Sequence, residues 1–156
     1  MLSVSEKMVL VHTEISELAE ALHRKPKKPK DSIQSECADI LGRILHLGIA
    51  WGVDFDAEFT YKSRFQKLES KSVVSESDLL YFHTLASKAY DSYRHKRILV
   101  FKRFLFRIAH EILRMTRLMQ IDVEQVALAK MEINKSRAWD KSKFNGHYYK
   151  EAKFQK

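Results

Sequence analysis

Four acidic residues stand in two pairs of matched interval. Glu14 and Glu17 are three residues apart, and after 18 intervening residues Glu36 and Asp39 repeat the spacing. On a helix that interval places two side chains on one side, about a turn from each other. In a chain with 20 acidic residues such pairs also arise by chance, and Glu17 with Glu20 is another. Placement separates the two pairs from the rest. Glu14 and Glu17 adjoin Ile15 and Leu18, and Glu36 and Asp39 adjoin Cys37 and Ile40, so both border a face that should be buried. Were the two segments to pack as antiparallel helices, four carboxylates would converge, at a cost in free energy unless a counter-ion joined them. A hard divalent cation, Mg²⁺ with Mn²⁺ as the alternative, answers that cost. It prefers oxygen ligands and keeps waters that also reach substrate phosphates.

The elements that must carry these residues read as helices. Met8, Val11, Ile15, Leu18, Ala19 and Leu22 recur at intervals of three and four, which predicts a helix over 5–23 with Ser5 as N-cap. The run Lys25-Pro26-Lys27-Lys28-Pro29-Lys30 must end it, since proline forces its predecessor out of helical geometry. A second helix is expected from Asp31 or Ser32 through Ile33, Cys37, Ile40, Leu41, Ile44, Leu45 and Leu47 to about Trp51-Gly52. A third follows Asp54 to about Lys71, and a fourth follows Ser75 through Leu79, Phe82, Leu85, Ala86 and Tyr90. Residues 97–119 are strongly amphipathic, with Phe101, Leu105, Ile108, Ile112, Met115 and Met119 as the buried stripe. A last helix runs from Asp122 to about Arg137, and Trp139 to Lys156 reads as irregular. A weak echo 68 residues apart, Ile44-Leu45 … Val53-Asp54 against Ile112-Leu113 … Ile121-Asp122, is what repeated helix–turn–helix patterning produces on its own. The expected fold is all-α, an antiparallel bundle of five to six helices in one domain over 1–156.

Composition agrees. Four Gly and two Pro in 156 residues are too few for the frequent turns of a sandwich or barrel. Neither a Walker-type nor a dinucleotide-binding glycine loop can be read. The single cysteine, Cys37, excludes an intrachain disulfide. No signal-peptide order opens the chain and no apolar run approaches the ~20 residues of a membrane span, so a cytoplasmic protein with no membrane partner is expected. The net charge of +8 invites a nucleic-acid partner, but its distribution argues otherwise. Residues 31–61 hold six acidic side chains against one basic, whereas 94–117 hold eight basic against one acidic. Early carboxylates and late cations suit a site for a metal together with phosphate, which favours a free nucleotide over nucleic acid.

At this point the residues resemble a family. Glu14-Ile-Ser-Glu17 followed by Glu36-Cys-Ala-Asp39 is similar to the E-x-x-E … E-x-x-D signature of the MazG-like, all-α nucleoside triphosphate pyrophosphatase superfamily. The dimeric dUTPases share that signature. Thr13 to Leu22 and Glu36 to His46 are similar to its two core helices. The segment Lys130-Met-Glu-Ile-Asn134-Lys-Ser-Arg137 resembles the K-x-x-x-N-x-x-R stretch by which related members grip phosphates. The likeness covers about 5–54 and 119–147, and 55–118 then reads as a helical insertion. It implies a nucleoside triphosphate substrate cut between its α and β phosphates to monophosphate and pyrophosphate. Glu14, Glu17, Glu36 and Asp39 would hold one or more Mg²⁺, with Glu17 or Glu36 also orienting or deprotonating the water. Lys130, Asn134 and Arg137 would engage the phosphates. A homo-oligomer, either a dimer or a dimer of dimers, is expected.

Two other readings compete. One is a non-enzymatic helical module binding nucleic acid through Arg94, Lys96, Arg97, Lys102, Arg103, Arg107, Arg114 and Arg117. The other is a degenerate family member acting as an oligomerisation scaffold. Cys37 is expected to be a small core residue, and His12, His46, His83 and His110 lack a metal-ligand spacing. Trp51, Phe55 and Phe59 are expected in the core rather than on a base.

Overall fold

A computed structural model of the chain describes residues 2–23, 32–56 and 75–136. The described residues form five helices and no strand: α1 (Val4–His23), α2 (Ile33–Ala50), α3 (Glu76–Arg94), α4 (Ile98–Leu118) and α5 (Val123–Ser136). The expected all-α bundle is therefore what forms. The helix expected after Asp54 lies mostly outside the described residues, as does the stretch from Trp139 onward.

Short polar side chains set the starts of α1, α2 and α5, whereas α4 follows Arg97 with no side-chain cap. The N-cap of α1 is Ser3 rather than the expected Ser5. Its hydroxyl accepts the Glu6 backbone N–H at 3.2 Å, and the Glu6 carboxylate takes the Ser3 N–H at 2.7 Å. This reciprocal pairing satisfies donors that the first turn leaves open, and Ser5 has no such glutamate three residues on. Ser32 caps α2 by accepting the Ser35 N–H at 3.2 Å, and Asp122 caps α5 through the Gln125 N–H at 3.0 Å.

Three helices end alike. After α2 the Val53 N–H reaches the Gly48 carbonyl at 2.9 Å and the Gly52 N–H reaches that of Ile49 at 3.0 Å, with Gly52 at φ 69°. The pattern recurs after α3, where Arg97 N–H bonds the Ser92 carbonyl and Lys96 takes φ 56°. It recurs again after α4, where Ile121 N–H bonds the Thr116 carbonyl and Gln120 takes φ 57°. Each left-handed residue turns the chain back so that the last carbonyls find donors. The scarcity of glycine thus conceals two of the three turns.

The helices close into a ring in which α1 packs on α2, α2 on α4, α4 on α3 and α3 on α1, with α5 laid against α2. Helices α1 and α3 run in opposite senses, since Ser5 meets Tyr90, His12 meets His83 and His23 meets Glu76. Most of the set read from the periodicity is the core: Met8, Val11, Ile15 and Leu18 from α1, Ile40, Ile44 and Leu47 from α2, Phe82 and Leu85 from α3, and Phe101, Leu105, Ile108 and Ile112 from α4, while Ala19, Leu22, Ile33, Leu45, Tyr90 and Met119 are only partly buried. Trp51 packs edge-on against Tyr93 and Phe101 at centroid distances of 5.5 and 5.6 Å. Phe55 is buried and its ring covers Gly48, where an added Cβ would come within 2.4 Å of it. Both aromatic residues therefore serve the core, and Phe59 lies outside the described residues. Cys37 is fully buried too, which pushes its thiol up to about 12. No described helix is long and apolar enough to cross a membrane.

Candidate metal centre

Packing of α1 against α2 brings three of the four expected carboxylates together. Glu14 from α1 and Glu36 and Asp39 from α2 each offer one oxygen, and these oxygens lie within 4.8 Å of one another. Glu14 and Glu36 are only 6% and 4% exposed, an uncommon depth for ionisable groups. Glu17 stands apart from this trio on the exposed side of α1, yet its negative charge helps raise the proton affinity of both Glu14 and Glu36.

Two cations partly offset the acidic charge. Arg43 reaches Glu14 Oε1 through Nε at 2.6 Å and a terminal nitrogen at 2.5 Å. Lys130, from α5, donates to the Ser35 carbonyl at 2.9 Å and to Asp39 Oδ2. Burial pushes the Glu14 carboxyl above its ordinary value, with Arg43 opposing. Glu36 is raised to about 7, by burial first and by the Asp39 charge second, with Lys130 opposing. Glu36 Oε2 and the Ser35 hydroxyl are buried without a hydrogen-bond partner among the described residues. Buried polar atoms are nearly always paired, so the orphaned carboxylate oxygen beside two further carboxylates is an acceptor open to a proton or to a positive ligand. The donor set is all oxygen, which matches Mg²⁺ or Mn²⁺ and disfavours softer metals.

Of the expected phosphate group, Lys130 is at the cluster. Asn134 lies one turn further along α5 with its side chain outside the described residues, and Arg137 is outside them altogether. Arg43 was not singled out from the sequence, although it is four residues beyond Asp39 and so on the same face of α2. Two of the histidines make a contact that sequence separation hid: His12 and His83 bring their Nδ1 atoms to 2.8 Å with stacked rings. The basic stretch is partly tied up within the chain. Arg97 pairs with Asp91 at 2.6 Å, and buried Glu111 takes Arg107 at 3.0 Å and Arg114 at 2.7 Å.

The chain matches no family model, no curated protein and no solved structure.

Proposed function

We propose that the chain is a divalent-cation-dependent nucleotide pyrophosphohydrolase related to the MazG-like superfamily. It would convert a nucleoside or deoxynucleoside triphosphate to the monophosphate and pyrophosphate. The observation that carries this reading is the meeting of Glu14, Glu36 and Asp39 with Lys130, a residue 91 positions beyond Asp39 in the chain. Carboxylates for a cation and an ammonium for phosphate thus share one location.

Glu14, Glu36 and Asp39 would hold the cation, which when bound supplies charge neutralisation on the triphosphate. Lys130 would present its ammonium to phosphate oxygens as a compact point charge. Of the two candidate bases, Glu17 is the better placed, because it is exposed beside the cluster and outside the trio. It would orient the water whose oxygen attacks the α-phosphorus and take its proton as the bond to the bridging oxygen breaks and pyrophosphate leaves. We further propose a homo-oligomer, for which the exposed Leu128 and Met131 on α5 offer apolar surface.

Incubating the purified protein with a panel of NTPs and dNTPs and Mg²⁺ tests the reading. Pyrophosphate and monophosphate are expected in equal amounts from at least one of them, with Glu36→Gln slower by roughly a hundredfold or more. No pyrophosphate from any nucleotide, with Glu36→Gln indistinguishable from the parent, would overturn it.

A further inference from the structure

The position of Lys130 bears on more than phosphate contact. Its ammonium makes two hydrogen bonds at the cluster, to the Ser35 carbonyl and to Asp39 Oδ2. An ammonium hydrogen and a metal ion compete for the same carboxylate lone pairs. Charge balance points the same way. Three carboxylates face two cations, Arg43 and Lys130, which leaves the group one negative charge in surplus when all are ionised. A divalent ion added with both cations in place would reverse that surplus, whereas one that displaces a single cation leaves the group neutral. Arg43 is held to buried Glu14 by two short contacts from one guanidinium, while Lys130 sits on a flexible four-carbon stem against a carboxylate that is 40% exposed. Lys130 is therefore the cation that yields. It is also an incomplete occupant, because Glu36 Oε2 remains buried beside it without a hydrogen-bond partner among the described residues.

We propose that Lys130 is the resident counter-cation of the metal centre: it occupies Asp39 until a divalent ion takes that oxygen, and is then released toward the phosphates of the nucleotide. The proposal rests on the reading of the cluster as a cation site. It deepens that reading by giving one residue two successive partners, so that metal loading and phosphate capture are coupled through a single side chain.

The test is Mn²⁺ affinity of the full chain without nucleotide, measured by titration calorimetry at fixed pH and ionic strength. Lys130→Met is compared with the parent and with Lys88→Met, which removes the same charge from the exposed side of α3. Loss of a competing, partly exposed ion pair is expected to tighten Mn²⁺ binding roughly threefold to tenfold. Lys88→Met should stay within about twofold of the parent, as expected for a screened distant charge. With Mn²⁺ saturating, Lys130→Met should bind a non-hydrolysable triphosphate more weakly than the parent. If removal of Lys130 leaves Mn²⁺ affinity unchanged or weakens it, the proposal is wrong and Lys130 is only an anchor for α5. Should Lys130→Met fail to fold by circular dichroism, Lys130→Gln gives the same reading with a polar side chain retained. Absence of pyrophosphate from a protein that binds Mn²⁺ would sink the enzymatic reading alone, because the affinity comparison uses no turnover.

Discussion

Glu36 is the most deeply buried carboxyl of the trio. Its carboxyl is raised to about 7 from an ordinary 4.5, so the folded protein holds a proton there that the unfolded chain releases at lower pH. Where the folded state binds more protons, stability falls as pH rises. The fall begins near 4.5 and is complete above about 7, and its size is on the order of 3 kcal/mol at most. In chelator-treated buffer, Glu36→Gln should therefore lose less stability than the parent between about pH 5 and about pH 8, with chemical denaturation as the measure. Saturating Mg²⁺ should restore the parent at the upper end, since a ligand that binds only the folded state stabilises it. An equal pH slope in parent and variant would contradict the assignment. The identity of this residue was legible in the sequence, from its interval to Asp39 and its apolar neighbours, but its depth was not. The departure of Glu17 has a simple cause. Three residues on a helix leave two side chains about 60° apart, which on α1 separates buried Glu14 from exposed Glu17, whereas on α2 the same interval keeps both Glu36 and Asp39 at the cluster. Lys130 as the partner of Asp39 was illegible because the pairing depends on how α5 lies on α2.

At the scale of elements, apolar periodicity located the helices closely. The expected 97–119 became Ile98–Leu118, and the expected 5–23 became Val4–His23. The turns were harder to read, because two of them depend on Lys96 and Gln120, residues with no turn signature. A left-handed backbone costs a residue with a Cβ on the order of 1 kcal/mol, and glycine escapes that cost while adding freedom to the unfolded chain. Lys96→Gly and Gln120→Gly should each raise stability by about 0.5–1 kcal/mol, read as an upward shift in Tm. A lowered Tm for both would mean that the two side chains contribute more than their backbone strain costs.

Across the whole molecule, two sets of titrating groups pull stability in opposite directions. Burial lowers the proton affinity of His12 and His83, and each touches the other, so protonation of the pair favours the unfolded chain. For these groups stability is full above the ordinary value of 6.5 and is lost as pH falls below it. Glu36 works the other way over part of the same range and masks the loss. Glu36→Gln should thus expose an acid-side decline between about pH 7 and about pH 5, and adding His83→Phe should remove much of it, again by denaturation. Persistence of the full decline in the double variant would place its origin elsewhere. The ring of α1 to α4 is complete within residues 4–118, whereas Lys130 belongs to α5. Chains are made from the N-terminus, so the acidic trio and Arg43 are all synthesised before Lys130. Until α5 lies on α2, Arg43 is the cation of this pair that faces the trio, and the lysine joins a cluster whose acids and first counter-charge are already made.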